Sequence, residues 1–228
     1  MKSMKYALAL LLAASLVYCG GSDSSKDGDP MELTKKDPKH TAVLLENEYG
    51  AVLQVELPAG AEQPEHYGSS RIVYSLNDYS LDWLEEGEQS RVDWKTGDVH
   101  EHDPGMHRAK NVGSTPANYL IVLRKQAKLD PVKDMDAPSE YHRQIHESPE
   151  FIVYEVHIPT GESIPSHPGF PRFVYSLTDY TIEYTEGEEK GTHSFKKGDV
   201  HFHESKQQHS AANTGDSEAA FLVVVPRK

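Results

Sequence analysis

The feature that most constrains this chain is that it matches itself at an offset of 101 residues. Val-Tyr-Ser-Leu-Asn-Asp-Tyr at 73–79 returns as Val-Tyr-Ser-Leu-Thr-Asp-Tyr at 174–180, and Gly97-Asp98-Val99-His100 returns as Gly198-Asp199-Val200-His201. From His66 to Asp103, 17 of 38 positions are identical to their partners. One residue is then inserted in the second copy, so that His107 and Asn111 pair with His209 and Asn213. A chain of 228 residues therefore holds two copies of one unit of roughly a hundred residues.

Each copy reads as short strands. Leu53, Val55 and Leu57 alternate with Gln54 and Glu56, and Tyr154, Val156 and Ile158 alternate with Glu155 and His157. A period of two means a half-buried strand. Continuous apolar runs, Tyr119 to Leu123 and Phe221 to Val225, close each copy, and Gly- and Pro-bearing turns separate the runs. No segment beyond the N-terminus shows a convincing amphipathic helix. The pattern predicts an all-β chain of sandwich or barrel type.

The order of the motifs resembles the cupin superfamily in its two-domain form. A strand ends in Pro58-Ala59-Gly60, His66 follows six residues after the Gly, Gly97-Asp98 opens a later strand, and His107 precedes Asn111. Gly161, His167, Gly198-Asp199, His209 and Asn213 repeat the series. The resemblance implies two tandem antiparallel jelly-roll barrels, each with a central cavity. It also implies a divalent transition metal (Zn, Fe, Mn, Ni or Cu) in each, held by two His and a Glu of the first motif and one His of the second. His66 and His167 match the first His, and His107 and His209 match the last. The second His position falls on Gly68 and Gly169, and the carboxylate position falls near Arg71 and Ile72, or Arg172 and Phe173.

Two further histidine pairs could supply a substitute ligand set, or else form solvated or hydrogen-bonded pairs on a strand face. His100 and His102, like His201 and His203, sit two apart on a strand and so project from one face. They are expected to point into the barrels. With His66 and His107, or His167 and His209, they would give each barrel a site of three or four imidazoles, a donor set suited to these metals. Arg71 and Arg172 stand five residues after the first-motif His and could hold a ligand carboxylate bidentately, or else pair with surface acids. His142 is assigned to the connector, and Trp83 and Tyr184 to barrel packing.

Before the repeat, Lys2 and Lys5 flank an apolar run, Tyr6 to Val17, too short to span a bilayer but suited to an export signal. It ends at Leu16-Val17-Tyr18-Cys19-Gly20, which resembles a bacterial lipobox with Tyr18 where a small residue is usual. Lipidation at Cys19 would make this a membrane-anchored lipoprotein of the bacterial cell envelope. The organisation read from sequence is a signal peptide over 1–18, a flexible tether over 19–40, barrel 1 over 41–124, a connector over 125–142 and barrel 2 over 143–228. A formal net charge of −13 with scattered Lys and Arg argues against nucleic acid as a partner. Three functions remain open: a binding protein for a small ligand or metal, a metal-dependent oxygenase, isomerase or decarboxylase acting on a small acid, and a structural lipoprotein. The barrel faces could build a homo-oligomer or an internal pseudo-dimer.

Overall fold

The computed structural model describes residues 28–85, 87–125 and 139–227. The export signal, Cys19 and most of the connector lie outside the described residues. The first copy runs β1 Thr41–Glu46, β2 Gly50–Leu57, β3 His66–Gly68, β4 Arg71–Ser75, β5 Tyr79–Glu85, β6 Glu88–Trp94, β7 Val99–His102, β8 Gly105–Asn111 and β9 Ala117–Arg124. The second runs β10 His142–Glu147, β11 Phe151–Ile158, β12 Ser163–Pro168, β13 Arg172–Ser176, β14 Tyr180–Glu186, β15 Glu189–Phe195, β16 Val200–His203, β17 Gln208–Asn213 and β18 Ala219–Pro226.

Each copy is a two-sheet jelly roll with the same order. One sheet is β1-β2-β9-β4-β7 and the other β3-β8-β5-β6, with β10-β11-β18-β13-β16 and β12-β17-β14-β15 as their counterparts. All pairings are antiparallel, and even the bulge in the first strand recurs, between Val43 and Leu45 and between Gln144 and His146. Asn111 and Asn213 close each barrel in the same way, donating to the carbonyls of Leu57 and Thr115, or of Ile158 and Ser217, at 2.8 Å each.

The closing strands are apolar on both faces because both are covered. Tyr119, Ile121 and Leu123 of β9 point into barrel 1, while Leu120 and Val122 point the other way. In β18, Phe221, Val223 and Val225 fill barrel 2, while Leu222 and Val224 meet Leu120 and Val122 in a third core between the barrels. Ile72 and Phe173 are fully buried in that same layer. A buried Val, Leu or Phe contributes about 1.5–3 kcal/mol, so this layer joins the copies firmly. The barrel faces are therefore used within the chain, as in an internal pseudo-dimer.

Two expectations need correction. Residues 28–40 are not a free tether: Glu32–Lys36 forms a short helix, α1, whose Leu33 is 4% exposed in the core of barrel 1, with Met31 packed beside it. Glu32 accepts from the backbone N–H of Tyr67, and Lys36 donates to the carbonyl of Glu65 at 2.8 Å. A five-residue helix with one buried apolar side chain leaves no periodicity to read. His142, placed in the connector, begins β10 and belongs to barrel 2.

Candidate functional site

Strand register gathers the histidines. In barrel 1, β4 pairs with β7 so that Arg71 lies opposite His102 and Val73 opposite His100, while β3 pairs with β8 so that His66 lies opposite His107. All five polar side chains line one interior. The other face of β7 is turned to the interface, where Val99 joins the shared core and Glu101 pairs with His146 at 2.7 Å. Barrel 2 repeats the set with Arg172, His167, His201, His203 and His209 around its cavity.

The imidazoles are close and neutral. Ring centroids stand 4.2 Å apart for His66 and His107, and 4.1 Å for His167 and His209. His66 Nδ1 lies 2.8 Å from the Pro64 carbonyl and His167 Nδ1 lies 2.8 Å from that of Pro165, which fixes Nδ1–H as the donor and turns a bare Nε2 inward. Burial, and then the charge of Arg71, hold His100 and His102 down to about 3 and His107 to about 2. Burial and Arg172 do the same to His201, at about 4, and to His203 and His209, at about 3.

The arginines are the unusual members. Arg71 is 3% exposed, and its Nη1 donates to the carbonyls of Ser69 at 3.0 Å and Asp103 at 3.3 Å. Its Nη2 lies 3.2 Å from His107 Nε2. Arg172 donates to the Phe170 carbonyl at 3.0 Å and to His209 Nε2 at 3.1 Å. A guanidinium only donates, so the nitrogen it meets must carry a lone pair, in keeping with neutral imidazoles. Neither arginine has a carboxylate among these partners. Burial lowers both, Arg71 to about 10.

This arrangement does not fit the metal that the family resemblance implies. Among the described residues no three His, Cys, Asp or Glu side chains are grouped to hold an ion. The Nε2 that the last-motif His would offer is engaged by a cation in both barrels. A β-carbon on Gly68, where the second His would stand, would overlap the Arg71 guanidinium and His107 Cε1. On Gly169 it would run into the Ser205 carbonyl. In barrel 1 the space left by the missing ligand is filled by a fixed positive charge, which repels a second one.

The barrels differ in volume. Barrel 1 encloses about 240 Å³ and barrel 2 about 910 Å³. The larger cavity has a polar side of Arg172, the histidines and Glu186, and an apolar side that includes Ile164, Ile182, Phe195, Phe221 and Val223. Several of its residues were missed in the sequence. His142 lines it with its ring 5.9 Å from that of His167, and burial lowers it to about 4. Tyr184 lies beside Arg172 rather than in plain packing, and Glu186 presents a buried Oε1 without a hydrogen-bond partner. Glu85 and Glu186 were legible as an identical pair two residues beyond Trp83 and Tyr184, hence on the same inward face.

No family model matches the chain, and no curated protein matches it. Solved structures do. AerE from Microcystis aeruginosa is 16% identical with a TM-score of 0.63, over 83% of this chain and 94% of that one. A cupin 2 conserved barrel domain protein from Leptotrichia buccalis is 12% identical with a TM-score of 0.51, over 82% and 88%. The oxalate decarboxylase of Lactobacillus farciminis, in its formate complex, is 14% identical with a TM-score of 0.58, over 83% and 86%. That of Bacillus subtilis, whose Mn(II) centres have been characterised, is 13% identical with a TM-score of 0.59. At these identities the likeness is one of fold, and the fold it establishes for this chain is two tandem cupin barrels.

Proposed function

We propose that the protein binds a small organic carboxylate with an apolar body in barrel 2, and that Arg172 is the cation that anchors it. One observation carries this reading: a guanidinium on the wall of a cavity of about 910 Å³, hydrogen-bonded to a carbonyl, a neutral imidazole and the Tyr184 side chain but to no carboxylate. Glu186 acts on this cation across the cavity without hydrogen-bonding it, and an incoming carboxylate would meet the guanidinium directly with two parallel N–H···O bonds. The apolar half of the cavity asks for a body larger than that of formate or acetate, and the volume lies within the usual range for small-molecule sites. The formate complex of a neighbour in fold supports the same ligand chemistry.

The test is thermal unfolding of residues 28–228 with acetate, succinate, benzoate and octanoate, and with benzamide as an uncharged control. Benzoate and octanoate should raise the melting temperature more than acetate and succinate, with benzamide inert; saturation at a hundredfold over Kd contributes about 2.7 kcal/mol. Equal effects of benzoate and benzamide would refute an arginine-anchored site. The N-terminal sequence adds a place of action: residues 1–18 as an export signal and Cys19 as a lipidated anchor in the bacterial envelope. Cys19→Ala protein should leave the detergent phase for the aqueous one, and its remaining with detergent would refute the anchor.

A further inference from the structure

The two barrels share an arginine, four histidines and a glutamate, yet the cavity of one is about 240 Å³ and that of the other about 910 Å³. Three differences account for this. Trp83 stacks on both His102 and His107, with centroids 4.7 and 4.6 Å apart and planes at 28° and 16°. Tyr184, its counterpart, is tilted and stands 5.7 and 5.6 Å from His203 and His209. Trp94 lies 3.6 Å from His100, where Phe195 lies 4.8 Å from His201. Finally, the turn after β7 sends the Asp103 carbonyl to Arg71. The turn after β16 is one residue longer, and its Ser205 and Gln207 carbonyls pack over Gly169 instead.

These differences change how the charge is met. Arg71 Cζ lies 5.9 Å from the Trp83 ring centroid, so the negative face of the indole and two carbonyls surround the guanidinium. The indole is itself fixed, Nε1–H donating to Glu85 Oε2 at 3.2 Å. Arg172 has one carbonyl, and its aromatic neighbour, Tyr184, is the smaller ring and meets it with a side-chain hydrogen bond.

We propose that the barrels divide the work: barrel 2 takes the ligand, and barrel 1 is held shut by its own Trp83, which stands where a ligand would. Trp83, Trp94 and the shorter turn after β7 are then the determinants that set one ligand per chain. The ligand half of this statement rests on the reading of Arg172 as a carboxylate site; the closure of barrel 1 does not.

Diethyl pyrocarbonate, which modifies neutral imidazole that solvent can reach, tests the closure without any ligand. At pH 7, followed peptide by peptide by mass spectrometry, His203 should react at least about tenfold faster than His102, whose ring is stacked under Trp83 and whose Nε2 is buried. Trp83→Tyr, which installs the barrel 2 residue, should bring the barrel 1 rates up towards those of barrel 2. Equal rates in the wild type, or unchanged barrel 1 rates in a folded Trp83→Tyr protein, would overturn the closure. Should that variant fail to fold, acrylamide quenching of the wild-type protein decides, because its two tryptophans are both in barrel 1. Quenching well below that of free tryptophan supports the closure, and quenching as strong as that of free tryptophan overturns it. Repeating the modification with benzoate separates the two halves of the proposal. Protection confined to barrel 2 supports both, whereas unequal rates without protection keep the closure and sink the carboxylate site.

Discussion

Lowering the pH should begin to unfold this protein above the range in which carboxylates titrate, because its barrels are built around imidazoles that must stay neutral. Five of them, His100, His102, His107, His203 and His209, are held at about 3 or below by burial and a neighbouring arginine. In the unfolded chain each returns to about 6.5. Their folded values are depressed, so the unfolded state binds the protons first. Stability is then complete above about pH 6.5 and falls continuously towards pH 3. At pH 5 each such histidine costs about 2 kcal/mol, from 1.5 pH units at about 1.4 kcal/mol per unit. Taken at half strength, to allow for water reaching the partly buried rings, five of them cost about 5 kcal/mol, the lower end of the total stability of a typical domain. The assay is an acid titration followed by tryptophan fluorescence, which reads barrel 1 alone, beside far-ultraviolet circular dichroism, which reads the whole chain. Loss of structure between pH 6 and 4 is expected. A melting temperature unchanged from pH 7 to pH 5, or histidine titrations by NMR clustered near 6.5, would refute the reasoning.

Other outcomes follow from the same geometry. Leu120→Ala, in the layer between the barrels, should cost about 2–5 kcal/mol and split one thermal transition into two, and a single transition at the wild-type temperature would contradict the shared core. Gly68→Ala should destabilise barrel 1 because its methyl group must displace the Arg71 guanidinium, whereas Gly60→Asn, at a φ of 78° with open space around it, should be tolerated; equal effects in urea unfolding would count against the packing described. Removing metal with EDTA should leave the melting temperature unchanged, and a fall of several degrees would show a bound ion that the arginines do not replace.

The fold was legible because it is written twice. The offset of 101 residues and the alternation in β2 and β11 mark a repeated all-β unit, the family resemblance implied its jelly-roll form, and the spacing of His100 and His102 puts them on one face. The doubly apolar runs of β9 and β18 showed burial but not what buries them, since one sheet covering another leaves the same pattern as one sheet inside a larger core. The site was only half legible. Counting motif ligands showed that Gly68 and Gly169 stand where histidines would, but not that Arg71 fills the space at Gly68. That depends on a side chain reaching back across a turn, which no spacing rule reports. The role of Trp83 was hidden for a similar reason: an aromatic residue alternating on a strand looks the same whether it fills a core or covers a binding site. His142 escaped because a first strand of polar residues, His142 to Glu147, has no apolar alternation to mark it.

The central claim is that a fixed arginine, rather than a metal, is the cation of the open barrel. Isothermal titration of EDTA-treated residues 28–228 with benzoate tests it directly, using the wild type, Arg172→Met and Arg71→Met. The account predicts one site per chain in the wild type, the same site in Arg71→Met, and none in Arg172→Met. Binding that appears only after Mn(II) or Zn(II) is added back, or that survives Arg172→Met unchanged, would contradict it.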